Sequence, residues 1–478
     1  MSYPLPGGAQ STSRGLAEKL LTAFLGYEAI EGVLRRLFGD FSQEILIAKS
    51  FLLLTIYLFI IGTYRDRLLG IIEKFDRPFR LLLYLYASII VIRVPRSGGS
   101  PYGALADCAA YLLCFPVFVV GYICAESSRD WSALWRSLRP LLYFVASYGL
   151  FQALTGFDTA AQSTGANDAV AAGGGAYRES VGGTQILTLA STLYGGRLGE
   201  FGAFWVIVSS NLVVVDIARR ARVSLWSTGA VAAALVCLAL GTNRTATLST
   251  FAVGGLLFVY SILRLRSSRM IQMGLSAALL GAVLFLVFGL VLNRGSGLVQ
   301  TSDITRFLGA AANSEEYNVV GSSSWNGLKG IWQSNGLWGA GTGTVSMVSD
   351  GTGGVFQDYG AEGIDLRLMY EVGPIGLATF AMLYFRLVYI LLRRGSALVR
   401  TGPASALPFF FAAGVVVIYL SLAHKHQGFG LDTTFQTYVF AFVGSVLGSV
   451  KRPPVVMTLL SVPRARDFSL SDVGGDSR

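Results

Sequence analysis

Arg244 stands in "LALGTNRTATLSTF" as the sole charged residue between Arg222 and Arg264, with a long uncharged run on either side. Arg178 stands in "AYRESVGGTQ", and the only two histidines, His424 and His426, flank Lys425 in "LAHKHQGFG". Glu362, Asp365, Arg367 and Glu371 crowd into "EGIDLRLMYEVG". A guanidinium fork stays charged at any relevant pH and matches phosphate oxygens in pairs, so two arginines suit a diphosphate. A carboxylate or an imidazole within reach could take the proton of a hydroxyl nucleophile. Taken alone, each position also suits an ordinary solvated turn.

The surroundings of these residues are apolar. Of 478 residues, 53% are hydrophobic and 14% charged, against about a quarter charged in soluble domains. Mean hydropathy is +0.56. Runs long enough to cross about 30 Å of hydrocarbon as a helix fall near 17–38, 44–62, 79–95, 104–124, 137–155, 184–217, 223–241, 245–264, 271–292, 366–392, 405–423 and 430–449. This predicts an all-α polytopic membrane protein of about 12 transmembrane helices, with residues 1–16 and 450–478 as tails. The N-terminus carries no signal-peptide cleavage pattern and reads as a cytoplasmic tail. The run 184–217 is long for one crossing, and "TQILTLASTLYGG" reads as a half-buried helix before the span.

Basic clusters orient the spans. Lys74, Arg77 and Arg80 follow the second span, Arg136 and Arg139 the fourth, and Arg219 and Arg222 the sixth. Arg264 and Arg266 follow the eighth, Arg393 and Arg394 the tenth, and Lys451 and Arg452 the last. Every even-numbered exit is basic, so the positive-inside rule puts these loops and both termini in the cytoplasm. The net charge of +10 is then a topology signal and not a nucleic-acid footprint. Two loops fall on the opposite face: 156–183, and 293–365, rich in Gly, Ser and Asn. In the second, "WNGLKGIWQSNGLWGAGTG" puts Trp325, Leu328 and Trp332 on one face of an interfacial helix. "GAGTG" (Gly339 to Gly343) follows no strand, so it reads as backbone turning and not as a nucleotide loop. The outer face thus holds Arg178, Arg244, both histidines and the acidic cluster, where the rule depletes arginine.

No DxD, HExxH or clustered Cys/His pattern occurs, so no metal and no cofactor is expected. The four cysteines, Cys108, Cys114, Cys124 and Cys237, all lie in apolar runs and read as small core residues.

Four segments resemble the O-antigen ligase and O-antigen polymerase superfamily of bacterial envelope glycan enzymes. "RESVGGTQILTLA" is similar to its Arg-x-x-Gly segment, and "GTNRTATLSTF" to its Ser/Thr-Arg-Ser/Thr turn. "NGLWGAGTGTVS" is similar to a segment late in its large loop, and "EGIDLRLMYEVGPIGL" to the stretch entering the next helix, with Glu371, Gly373 and Gly376 in place. The resemblance implies a GT-C-like, metal-independent glycosyltransferase with a large periplasmic loop in the bacterial inner membrane. Its substrate would be a glycan on undecaprenyl diphosphate, held through the diphosphate by Arg178 and Arg244. An export complex or chain-length regulator would be a further partner. The family's ligases carry His-Asn where this chain has Glu362 and Gly363, which favours a polymerase over a ligase or a protein O-oligosaccharyltransferase. Glu362, Asp365, His424 and His426 are the candidate catalytic groups, with Arg306, Arg367 and Glu371 as further site residues. Where many members place an arginine before the interfacial helix, this chain has "GSSSWNGLKG", and Arg306 lies upstream. From another class, a lipid-linked glycan flippase needs polar groups along the whole crossing, whereas spans seven and eight carry no charge within them.

The topology has a direct check. Single cysteines replacing Arg178, Arg244 and Asp365 should react with an impermeant thiol reagent added from the periplasmic side of spheroplasts. Labelling from the cytoplasmic side alone would invert the assignment.

Overall fold

The computed structural model describes residues 7–37, 70–93, 114–128, 130–155, 178–181, 184–187, 198–219, 221, 223–240, 244–265, 327–341, 364–399, 402–423 and 434–449, with helical positions scattered over 52–62 and 108–112. Among the described residues, apart from one antiparallel pair of short strands, the architecture is helical: α1 (Gly7–Leu37), α2 (Arg77–Arg93), α3 (Cys114–Ser128), α4 (Ser132–Ser137) and α5 (Arg139–Thr155). β1 (Arg178–Val181) and β2 (Thr184–Leu187) precede α6 (Leu198–Ala218), α7 (Leu225–Leu240) and α8 (Arg244–Leu265). A short helix over 327–335 leads to α9 (Ile364–Leu398), α10 (Pro403–Ala423) and α11 (Thr434–Gly448).

Among the described residues, four helices are long and apolar enough to cross a membrane: Leu198–Ala218, Thr245–Arg264, Ile364–Leu398 and Ala404–Ala423. Phe115–Glu126, Leu225–Leu240 and Phe435–Gly448 are apolar but shorter. Large apolar side chains also stand exposed along α2 and α8, among them Leu81, Leu85, Ile92, Phe251, Leu256 and Leu263. A soluble monomer rarely leaves so much contiguous apolar surface in water. The fold is consistent with a helical membrane protein.

Several expected boundaries shift. The first helix begins at Gly7, so 7–16 is helix and not tail. Thr184–Leu187 is a strand paired antiparallel with Arg178–Val181, with Arg178 opposite Leu187. Residues 184–187 of the expected half-buried helix are therefore strand, in keeping with β-branched Val181, Thr184 and Ile186, and the rest of that segment up to 197 lies outside the described residues. The expected span 271–292 lies outside the described residues.

Helix direction follows from which residues meet. A Cβ on Gly202, early in α6, would fall 2.7 Å from the Cα of Leu238, late in α7, so these two run antiparallel at backbone contact. Asp76 before α2 meets Arg386 late in α9, while Ile89 late in α2 meets Gly376 early in α9. α9 packs antiparallel on α10 through Gly395 against Phe409 and Phe410. α10 packs antiparallel on α8, with Phe410 against Tyr260 and Gly414 against Val253 and Leu257. This chain of contacts puts Arg93, the start of α9 and the start of α8 at one end of the bundle. Lys74, Arg136, Arg386 and Arg394 lie at the other, the basic end.

The centre is α6, whose apolar window is 83% buried, whereas that of α8 is 17% buried. Trp135 and Trp205 pack edge to face at 5.9 Å beside Phe204, Tyr438 and Phe442. Trp135 Nε1 donates to Ser445 Oγ at 3.0 Å, which satisfies the one polar atom of a fully buried ring. At the basic end Lys74 pairs with Glu126 at 2.6 Å and Arg136 with Asp216 at 2.8 Å. Burial alone would lower the Lys74 pKa, but Glu126 and Tyr122 more than offset it and raise it above the usual lysine value. The stability this pair contributes is thus complete at neutral pH and falls away only as pH rises through that raised value.

Gly444 and Gly448 in "GSVLG" let α11 lie directly on α3, as small residues four apart commonly do in membrane helices. A Cβ on Gly444 would strike the Phe118 carbonyl and come within 3.0 Å of Tyr122 N. Gly444→Leu should therefore destabilise by about 1–3 kcal/mol through overpacking. Gly255 in α8 has nothing within 4 Å of its Cβ position, so Gly255→Ala should gain about 0.5–1 kcal/mol of helix stability. Thermal unfolding midpoints in detergent distinguish the two; a loss at Gly255 equal to that at Gly444 would remove the packing argument.

Candidate functional site

The feature that organises the non-basic end is a break in α9. Gly373 has φ 72° and ψ −178°, a conformation open in practice only to glycine, and Pro374 follows it as the first residue of the longer second segment, where its missing N–H costs nothing. The expected span 366–392 is thus two helices, 364–372 and 374–398, not one.

Breaking a helix among apolar neighbours frees carbonyls that need donors. The chain supplies them from the segment after helix 327–335. Ala340 N donates to Tyr370 O at 2.7 Å, and Gly341 N donates to Glu371 O at 2.9 Å. Gly339 (φ 67°) and Gly341 (φ 115°) lie in the left-handed region, so "GAGTG" does serve backbone turning. Contact here is too close for side chains on either partner. A Cβ on Gly339 would sit 2.6 Å from Gly373 N, and one on Gly373 would strike the Leu337 carbonyl. Arg93 at the end of α2 closes the joint by donating from Nη2 to Gly339 O at 2.5 Å.

Beneath this joint lies a buried ionic cluster. Glu371 is fully buried and Arg367 nearly so. Tyr111 donates its hydroxyl to Glu371 Oε2 at 2.5 Å. Arg367 Nε lies 3.6 Å from Glu371 Oε1, one helical turn away, and its guanidinium sits 5.7 Å from the centre of the Tyr111 ring. Both carboxylate oxygens thus face a partner, which a buried charge requires. Glu371 is positioned to orient Arg367 rather than to accept a proton. With Arg93 at the joint, two guanidinium groups and the Glu371 carboxylate thus meet around the break in α9.

The remaining candidates divide into three groups. Asp365 is half-buried in the first turn of α9, where a carboxylate is favoured by the helix dipole. Arg244 opens α8 and Arg178 opens β1, both fixed here as backbone positions; the start of α8 belongs to the same end as Glu371 by the contacts above. Glu362, Arg306, His424 and His426 lie outside the described residues. In helix 327–335 the buried face is Leu328 and Ile331 against Leu366 and Met369, while Trp332, Leu337 and Trp338 are exposed. Leu328 and Trp332 stand one turn apart on this helix, as the spacing predicts, with Trp332 the more exposed of the two, and Trp325 lies outside the described residues. Among the described residues no group of three His, Cys, Asp or Glu could hold a metal.

Two residues of this joint were not singled out in the sequence reading. Arg93 breaks the positive-inside pattern just as Arg178 and Arg244 do, so its signal was present in "IVIRVPR". Tyr111 carries none, because a tyrosine in "CAAYLLC" is indistinguishable from packing. Searched against known protein families the chain matches none, and no curated protein matches it.

Removing one partner of a buried charged pair leaves the other unpaired at about 3–5 kcal/mol. Glu371→Ala should accordingly lower the yield of folded protein sharply, whereas Tyr111→Phe should cost about 1–2 kcal/mol for its lost hydrogen bond to a charged group. Unfolding midpoints in detergent check the order; equal tolerance of both would mean that the carboxylate is not ionised and paired.

Proposed function

We propose that this chain polymerises oligosaccharide repeat units carried on undecaprenyl diphosphate at the periplasmic face of the inner membrane. The observation that carries this reading is the segregation of charge. One end of the bundle holds the ordinary basic topology residues in carboxylate pairs. The other holds a positive joint of Arg93, Arg367 and Glu371 under a loop docked on a broken helix, at the same end as the start of α8 with Arg244. Half-helices broken at their midpoint, with irregular backbone packed against them, recur at substrate sites in membrane proteins.

In this mechanism Arg178 and Arg244 bind the diphosphate of the donor and neutralise the charge that develops as it leaves. A sugar hydroxyl of the acceptor attacks the anomeric carbon, and a new C–O bond forms as the bond to the diphosphate oxygen breaks. The hydroxyl proton passes to a carboxylate or imidazole of the outer turns, for which Glu362, Asp365, His424 and His426 are the candidates. Lipid diphosphate leaves as the product. Arg93 and Arg367 act as positioning residues that hold the loop and the half-helix beside the reacting groups. Twelve spans and a GT-C-like arrangement belong to the same proposal.

A transfer to a lipid-core or protein acceptor, the ligase reading, uses the same donor chemistry. A lipid-glycan flippase draws on a different observation, the burial of Glu200 and Asn211 within α6.

The test is transfer by purified protein supplied with a polyprenyl-diphosphate oligosaccharide and chelator, followed by mass analysis of the glycan. A ladder of repeats with free lipid diphosphate supports the polymerase, and transfer solely to an added lipid-core or protein acceptor supports the ligase. Movement of donor across vesicles without bond cleavage would overturn both. Arg244→Lys should lower turnover by about tenfold or more although the charge is kept, because a bidentate fork becomes a point charge; unchanged turnover would remove Arg244 from the site.

A further inference from the structure

The segment that docks on the break in α9 has a second face. Trp332, Leu337 and Trp338 are 54%, 53% and 56% exposed, and none of the residues in the turn Gly336–Trp338 is buried. The backbone beneath them is held from both sides. Leu328 and Ile331 pack on Leu366 and Met369, and the bonds from Ala340 N and Gly341 N fix the far end of the segment on α9. Two indoles and a leucine are thus presented outward from a fixed support.

The neighbouring helix shows what that face meets. α2 buries Phe79, Tyr86, Ile89, Ile90 and Arg93 and exposes Leu81, Tyr84, Leu85, Val91 and Ile92. The exposed set recurs at helical spacing and makes one apolar stripe, which on a helix of a membrane protein faces lipid. The stripe ends at Val91 and Ile92. The next residue, Arg93, donates to Gly339 O at 2.5 Å, and Gly339 follows Trp338 directly. The exposed indoles therefore begin where the lipid-facing stripe stops, at the level where hydrocarbon gives way to headgroups.

The side chains suit that level. An indole has an apolar body and one N–H, and tryptophan is enriched where the first meets acyl chain and the second meets headgroup or water. Between 327 and 341 the sequence holds one charged residue, Lys329, and no carboxylate. Lys329 is exposed three residues before Trp332, on the neighbouring turn, and its long stem can lie along the interface with the ammonium at the phosphates. A helix facing bulk water would carry charge across its outer side.

We propose that Trp332, Leu337 and Trp338 insert into the headgroup region of the leaflet at the Arg93 end of the bundle, as a lipid anchor for the loop docked on α9. The partner is the lipid surface and no particular headgroup, since one lysine gives little charge selectivity. The bilayer then holds the contact between Gly339 and Gly373 together with Arg93, and it sets the depth of the buried charges below that contact.

The experiment places full-length protein in vesicles of dioleoyl phosphatidylcholine, plain or brominated on the chains near the headgroup or near the chain end. Bromine quenches tryptophan on contact. The emission lost in Trp332→Phe or Trp338→Phe, taken as wild type minus variant, reports each ring alone. Both positions are exposed and phenylalanine keeps an apolar ring there, so both variants should keep the fold. Shallow bromine should lower each difference signal by about twofold or more, and deep bromine by less, while iodide in the water should change it little. Quenching by iodide and not by bromine would overturn the proposal by placing the rings in water. Quenching by neither would overturn it by placing them under protein, and stronger quenching by deep bromine would do so by placing them in the hydrocarbon core. No glycan enters the test, so its outcome is independent of the polymerase reading.

Discussion

A helix broken among apolar neighbours has to satisfy its freed backbone groups, and that constraint governs the end of the bundle around Gly373. At Gly373 the carbonyls of Tyr370 and Glu371 lose their intrahelical donors and gain the N–H groups of Ala340 and Gly341 instead. Two segments some thirty residues apart in sequence thereby become one piece of backbone. The approach is so close that neither Gly339 nor Gly373 can carry a side chain. Arg93 then ties the same joint to α2, and Glu371 ties it through Tyr111 to the segment ahead of α3. Loss of the joint would expose a buried carboxylate and two guanidinium groups to surroundings that cannot solvate them. The charges and the backbone break hold each other in place.

The two ends of the bundle use arginine differently. At the basic end Lys74–Glu126 and Arg136–Asp216 each join one carboxylate to one partly exposed cation; pairs of that kind orient helices more than they stabilise them. At the other end the charges are buried, and burial turns a pair into a constraint, because neither member can be left alone. The same residue type is therefore partly exposed in surface pairs at one end and buried in a constrained cluster at the other. Composition cannot separate these uses; burial does.

Much of the fold could be read from the sequence because it rests on hydrophobic run length and on the distribution of lysine and arginine. Among the described residues the longer helices α2, α3, α5 to α8, α10 and α11 overlap expected spans, and Glu371 faces a polar interior, as a carboxylate within an apolar run must. What failed were the local conformations. Thr184–Leu187 lies in an apolar run that suits either period, and pairing with Arg178–Val181 decided for a strand. In "EVGPIGL" the Gly-Pro pair was a visible break signal, but the hydrophobic run continues through it and the run length prevailed. Of the site, Arg367 and Glu371 were legible as charges in an apolar context. Tyr111 was not, since its role depends on a hydroxyl 260 positions from the carboxylate it meets, and no local pattern encodes that distance.

The contrast between α6 and α8 bears on how a lipid-linked substrate would reach the joint. α6 is enclosed on nearly all sides, so no chain of hydrocarbon length passes through the middle of the bundle beside it. α8 is the least buried of the long helices and presents Phe251, Leu256, Val259 and Leu263 outward, and Arg244 is its first residue. Under the proposed function, a lipid lying along this exposed face would carry its diphosphate to the helix start, where the dipole and a guanidinium both favour negative charge. The tail would stay in the bilayer throughout, and only the polar head would cross into the outer cavity. An arginine with no carboxylate in its flanking sequence is then what the site requires, since a carboxylate beside it would compete with the phosphate for the same fork.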